Sequence, residues 1–291
     1  MQVRKAVFPA AGFGTRFLPA TKAQPKEMLP LVDKPVIQYA IEEAIASGIK
    51  DVVMVTGRGK RAIEDHFDVA FELESFLVEK GNHDLLREIR EIADLANLYY
   101  VRQKKALGLG HAVLTAKGLV SGEPFAVFLG DDLIVSEVPA MKQMLDVFER
   151  EKCSLLAVER VPREMTSSYG IVKVEKVVKG AGRLHRVLDL VEKPKPEGAP
   201  SDLAIIGRYI LVPEIFDHLE RTAPDRKGEI QLTDGLRSLL AERDILAYEF
   251  EGTRYDTGNK LGFLRATVEY ALRRSDVGPA FREYLKSLDL D

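Results

Sequence analysis

The sequence predicts an α/β fold: a mixed, mainly parallel sheet flanked by helices, with a β-rich portion added in its second half. Two observations carry this. Short apolar runs alternate with stretches of helical period through the first half of the chain, and strand-like runs punctuated by Gly and Pro dominate the second. Strands separated by helices imply a parallel sheet covered on both faces. In such sheets ligands bind outside the carboxyl ends of the strands.

The elements follow in order. Residues 5–10 form a short apolar run that leads into glycines, a buried strand. Residues 34–47 place Val36, Ile37, Ala40, Ile41, Ala44 and Ile45 at the helical period, with Pro35 suited to the first turn and Gly48 to the end. Residues 51–56 are a second strand, and helices are expected over 70–79 and 83–93, broken at Gly81. Strands at 98–102 and 125–129 enclose a helix over 110–119. Further on, 154–160, 171–175, 184–191 and 204–211 are β-like, Gly180 and Gly182 mark a hairpin turn, and the Pro-rich 193–201 reads as irregular loop. Two helices, 260–274 and 277–288, close the chain.

Composition narrows the function. With 291 residues, 46% of them hydrophobic, the chain can bury a large core, and the absence of any linker-like stretch points to one domain over 1–291. A net charge of −3 argues against a nucleic-acid backbone as partner, while leaving room for a local cationic cluster facing small anions. A single cysteine, Cys153, cannot form an internal disulfide and fits a reducing cytoplasm. No run is long enough to span a membrane.

The strongest local signal is Pro9-Ala10-Ala11-Gly12-Phe13-Gly14-Thr15-Arg16, continuing to Pro25-Lys26. Small residues after a strand let the backbone approach a ligand, and free N–H groups there make an anion-binding concavity. Arg16 and Lys26 add full positive charges. The dinucleotide glycine fingerprint fails, because Arg16 and Phe17 stand where its third glycine belongs. Gly57-Arg58-Gly59-Lys60 is no Walker loop either, since Arg61 follows the lysine where Ser or Thr is required. Gly130-Asp131-Asp132 ends the 125–129 strand, and such paired carboxylates suit Mg²⁺, which prefers oxygen ligands. The alternative for that turn is a helix cap. The five histidines are scattered without zinc spacing. Gln103 follows a strand, and its amide offers both donor and acceptor to a base edge; otherwise it is an ordinary loop residue.

Gly12-x-Gly14-Thr15-Arg16 with Pro25-Lys26 resembles the signature of the nucleoside-diphosphate-sugar pyrophosphorylases, and Gly130-Asp131-Asp132, Glu192-Lys193-Pro194 and Tyr255-Asp256-Thr257-Gly258 follow in the family's order. The resemblance runs through nearly the whole chain. It implies the Rossmann-like nucleotide-diphospho-sugar transferase fold with a β-rich sugar-binding portion. It also implies these roles: Ala10, Ala11, Gly12, Gly14, Gln103 and Gly108 for the nucleotide, Arg16 and Lys26 for its phosphates, and Asp131 and Asp256 for Mg²⁺. Gly170, Glu192 and the vicinity of Ile206 would take the sugar, and Lys193 its phosphate. Residues 55–60, the helical insert 67–95 and Gln103 with 107–111 resemble the bacterial uridylyl-transferring members. The substrates implied are UTP and glucose 1-phosphate, the products UDP-glucose and pyrophosphate, and the assembly a homo-oligomer, a dimer or tetramer. A thymidylyl-transferring enzyme and a catalytically silent nucleotide-sugar-binding subunit remain the alternatives.

Overall fold

The structure, a computed structural model, describes residues 2–120, 122–176 and 182–289. Gly180 of the expected hairpin lies outside them. The first half runs β1 (Lys5–Ala10), a short ladder of β2 (Pro30–Leu31) on β3 (Lys34–Pro35), α1 (Val36–Ala46) and β4 (Asp51–Thr56). Three helices follow, α2 (Arg61–His66), α3 (Phe71–Glu79) and α4 (His83–Ala93), then β5 (Asn97–Arg102). Helices α5 (Leu109–Thr115) and α6 (Lys117–Val120) lead to β6 (Phe125–Phe128) and β7 (Asp132–Val135). The helix expected over 110–119 is therefore two short helices. α5 ends on Ala116, whose N–H bonds Val113, and the chain turns there before α6.

The second half holds α7 (Ala140–Glu151), β8 (Ser154–Arg160), β9 (Gly170–Lys176), β10 (Leu184–Glu192) and β11 (Leu203–Leu211). Helices α8 (Ile215–Arg221) and α9 (Leu232–Leu239) precede β12 (Ile245–Glu249) and β13 (Thr253–Asp256), and α10 (Lys260–Arg273) and α11 (Gly278–Ser287) close the chain. Pro35 sits at the N-cap of α1 and not inside its first turn. Gly48, with φ 91°, follows Ser47 at its end as expected.

Among the described residues one sheet has nine strands, ordered β5-β4-β1-β6-β11-β8-β12-β10-β9. The sheet is mixed. Parallel pairing is confined to β5-β4-β1-β6 and the pair β8/β12, and β11 runs antiparallel to both β6 and β8. The β-rich half thus continues the same sheet. Helix α1 lays Val36, Ile37, Ala40, Ile41 and Ala44 into the core, all essentially inaccessible. Phe8 of β1 stacks on Phe128 of β6 with ring centroids 4.8 Å apart, locking the two central strands.

Topology then decides where a ligand can bind. From β1 the chain moves out through β4 to β5, then returns to place β6 on the other side of β1. The loops after β1 and β6 therefore diverge at a switch point, the crevice open α/β sheets use for ligands. Strand β11 supplies a wall above it. Its residues 208–211 pair with 128–125, while Leu203 to Ile205 run beyond β6 and pair with the end of β8. Ala204 also pairs with Ile171, which brings β9 and the end of β10 over the same edge.

Candidate active site

The loop after β1 is shaped by successive 3-10 turns, Thr15–Phe17, Ala20–Lys22 and Lys26–Met28. Gly14 enters the first with φ 67°, a conformation glycine adopts without strain, and its carbonyl accepts the Thr21 hydroxyl at 2.7 Å. Ala10 is buried at the end of β1, and Ala11 abuts the loop after β4, where a Cβ on Gly57 would stand 3.0 Å from the Ala11 carbonyl oxygen. Nothing lies within 4 Å of the corresponding point at Gly12, so space is open beside the loop there.

Lys26 is positioned from two directions. Its neighbour Glu27 accepts the Lys60 ammonium at 2.7 Å, an ion pair with side chains 2% and 6% exposed that ties this segment to the loop after β4. Lys26 itself donates to Asp131 Oδ2 at 2.5 Å. Burial opposes its charge, but Asp131 and Glu27 outweigh that and hold the ammonium above its ordinary pKa. The same pairing, against the cost of burial, holds the Asp131 carboxyl below the usual carboxylate range, with Arg16 adding to it. Arg16 donates to the Gly258 carbonyl at 3.3 Å.

The acidic turn follows β6. Gly130 packs closely on α1, where a Cβ would fall 2.6 Å from the Ile37 Cδ1 methyl. The Asp131 carbonyl accepts both the Thr257 N–H at 2.8 Å and its hydroxyl at 2.7 Å, which docks the segment after β13 against the turn. Asp132 pairs with Asp256 across the β7/β13 ladder. Its own carboxylate turns away from the crevice, with Oδ1 on Arg254 at 2.5 Å and Oδ2 accepting the Gly207 N–H at 2.9 Å. Burial, with Asp131 and Asp256 nearby, pushes its pKa up to about 6 against the pull of Arg254.

Asp131 and Asp256 do face one volume. A Cβ built on Gly258 would stand 2.7 Å from Asp131 Oδ2 and 3.0 Å from Asp256 Oδ1, so both oxygens line the space glycine leaves open. Arg16, Lys26, Asp131 and Asp256 thus converge on one volume. Among the described residues no group of three or more His, Cys, Asp or Glu could hold a metal ion. Two aspartates alone suit a hard cation that completes its shell with phosphate and water.

The residues that the resemblance assigns to the sugar form a second cluster. Gly170 and Glu192 are register partners on β9 and β10, and Glu192 Oε2 accepts the Thr233 hydroxyl at 2.6 Å. Lys193, at φ 44°, donates its ammonium to Glu192 Oε1 at 2.7 Å and its backbone N–H to the Tyr169 carbonyl at 3.0 Å. Tyr169 joins the clusters: Arg254 lies over its ring at 5.1 Å, and its hydroxyl is 3.5 Å from Asp256 Oδ2. Ile206 is placed differently: the residue as a whole is 1% exposed, packed into the hydrophobic core. Thr233, Tyr169 and Arg254 carry no sequence signal by themselves; tertiary contact alone assigns them.

At the third corner, Gln103 is buried, and its amide nitrogen donates to the Gly108 carbonyl at 3.2 Å and lies 2.8 Å from His111 Nδ1. A carbonyl can only accept, which fixes the amide's orientation. Gly108 has φ 92°, and a Cβ there would strike Ile230 O and Glu229 Cβ, both at 2.9 Å. A cavity of about 410 Å³ between Thr56, Gly57, Tyr100 and Arg102 is lined by neither Gln103 nor Gly108.

Comparison with known proteins finds relatives along the whole chain. The chain is 51% identical over 289 residues to a UTP–glucose-1-phosphate uridylyltransferase of Staphylococcus epidermidis, covering 99% of each chain. It superposes on a UTP-bound UGPase from Acinetobacter baumannii with a TM-score of 0.92 and 39% identity, over 99% of this chain and 100% of that one. A UDP-glucose pyrophosphorylase complexed with UDP-glucose matches with a TM-score of 0.85 and 46% identity, over 94% and 100%. The nucleotidyl transferase family matches residues 5–272, a span that takes in both loops of the switch point, the acidic turn and the sugar-side strands, and the chain belongs to that family.

Proposed function

We propose that the chain transfers the uridylyl group of UTP to glucose 1-phosphate, forming UDP-glucose and pyrophosphate with Mg²⁺ as its metal. The observation that carries the reading is the convergence of Arg16, Lys26, Asp131 and Asp256 at the switch point: two fixed cations and two carboxylates around the space beside Gly258. Relatives that span the whole chain and bear the uridylyltransferase name support the same substrates.

A phosphate oxygen of glucose 1-phosphate forms a bond to the α-phosphorus of UTP. The bond from that phosphorus to the bridging oxygen breaks, and its electron pair leaves with pyrophosphate. The nucleophile is already an anion near neutral pH, so no general base is required. The barrier is repulsion between two polyanions and charge growing on the leaving group, which positioning and fixed positive charge lower. Asp131 and Asp256 would hold Mg²⁺, which when bound neutralises phosphate charge and polarises the phosphorus under attack. Arg16 and Lys26 bind the triphosphate. Lys193 neutralises the sugar phosphate, and Glu192, oriented by Thr233, accepts from the hexose hydroxyls. With its amide hydrogens engaged, Gln103 presents its carbonyl oxygen, a partner for the N3–H of uracil and not for the bare N3 of cytosine.

The test is pyrophosphate release from UTP and glucose 1-phosphate with Mg²⁺, run beside dTTP and CTP at equal concentration. Release with UTP in excess over the others is expected. No release with any nucleotide overturns the enzymatic reading, and faster release with dTTP overturns the choice of UTP.

A further inference from the structure

Beneath the acidic turn lies a charged pair that the chemistry above does not use. Arg208 of β11 is 0% exposed, the bulkiest fully buried side chain among the described residues, and it forms an ion pair with Glu43 of α1 at 2.6 Å. Removing a guanidinium completely from water is expensive, and an apolar pair of similar volume often stabilises a core as well or better. Stability alone is therefore a poor reason for a charge here.

The hydrogen bonds suggest another. Nε and Nη2 engage the Glu43 carboxylate. The remaining donors go to main-chain carbonyls: Nη1 to Leu129 at 3.2 Å and Gly207 at 2.9 Å, and Nη2 to Asp132 at 2.8 Å. All five donors of the guanidinium are used. Leu129 and Asp132 bracket Asp131, whose own carbonyl is held by Thr257. The Gly207 peptide binds the turn as well, its N–H on Asp132 Oδ2 and its carbonyl on the Leu129 N–H at 2.9 Å. Phe128, the last residue of β6, packs its ring 4.6 Å from the guanidinium carbon. Glu43 in turn accepts the Met141 N–H at 3.1 Å, so the anchor reaches back to the start of α7.

We infer that Arg208, neutralised by Glu43, is a positioning residue that fixes the backbone on both sides of Asp131 and so sets the aim of the metal-bearing carboxylate. It touches neither substrate nor metal. The inference rests on Asp131 being a metal ligand, as proposed above. Groups that orient metal ligands typically contribute about 10- to 100-fold to metal affinity.

The test is Mn²⁺ binding measured by electron paramagnetic resonance with UDP-glucose present, a readout independent of turnover. Glu43→Leu with Arg208→Met replaces the pair by apolar side chains, and thermal unfolding reports whether that variant keeps its fold. Arg208→Lys is the second variant, keeping a charge for Glu43 but lacking the fork that reaches the carbonyls. The folded variant, or both, is expected to bind Mn²⁺ about 10-fold or more weakly than the parent chain. Parental Mn²⁺ affinity in a folded variant overturns the inference. Asp131→Asn separates the two readings. If it binds Mn²⁺ like the parent, or the parent binds none, the metal assignment has failed; if it loses Mn²⁺ while the Arg208 variants keep it, only the positioning role has.

Discussion

A single methyl group tests the metal assignment most sharply. In Gly258→Ala the new Cβ would stand 2.7 Å from Asp131 Oδ2 and 3.0 Å from Asp256 Oδ1. Gly258 is not among the glycines with positive φ, so alanine meets no backbone penalty there and the effect is confined to the crevice. To reach ordinary contact at 3.4 Å, the Asp131 oxygen has to retreat by roughly 0.7 Å. It is tethered by Lys26 at 2.5 Å and its backbone is pinned by Thr257, so it cannot simply rotate aside. Displacements of about 1 Å in a catalytic group cost on the order of 10²-fold in rate. Initial rates of pyrophosphate release across a Mg²⁺ titration should show about 10²-fold lower turnover and a shift of half-activation to higher Mg²⁺. Circular dichroism and thermal unfolding should show an unchanged fold. Parental turnover with an unchanged Mg²⁺ requirement would refute the placement of the metal between these carboxylates.

Other outcomes follow from the same geometry. Lys26→Ala and Lys193→Ala should each lower turnover by about 10²-fold, the usual consequence of losing one preorganised charge contact, and single-turnover rates check this. Thr233→Val removes the hydroxyl at 2.6 Å from Glu192 and should raise KM for glucose 1-phosphate several-fold while leaving KM for UTP near the parental value. The Cys153 thiol is pushed up from its ordinary value of 9.0 to about 11, chiefly by burial and further by Glu151 and Asp244. A raised thiol pKa means less thiolate at any working pH, so alkylation by iodoacetamide at pH 8 should run about 10²-fold slower than for a small free thiol. The contrast should vanish in denaturant.

The alternation of apolar runs with helical periods was enough to place every strand of the nine-stranded sheet except β12, because burial in a covered sheet imposes a hydrophobic run whatever the neighbours, whereas the short ladders β2/β3 and β7/β13 carry no such run. The loop of residues 9–16, the acidic turn and the Glu192-Lys193 step were legible for a related reason. Each is a run of adjacent residues that must carry particular small or charged side chains, so its chemistry is written locally. Arg16, Lys26, Asp131 and Asp256 could be named individually; that they face one volume could not.

Sequence alone therefore determined the α/β class, the approximate positions of most elements and the chemical character of the site. Tertiary structure decided which strands pair in parallel, that Ile206 turns into the core, and that Asp132 is claimed by Arg254 and Gly207 and not by the crevice. It alone found Thr233 and the Glu43–Arg208 anchor, whose partners lie 41 and 165 positions apart in the chain. The physical reason is the same in each case. Periodicity and local motifs report what a residue prefers as surroundings, whereas a buried charge or hydroxyl is defined by the one distant group that satisfies it, and only the folded chain brings that group within reach.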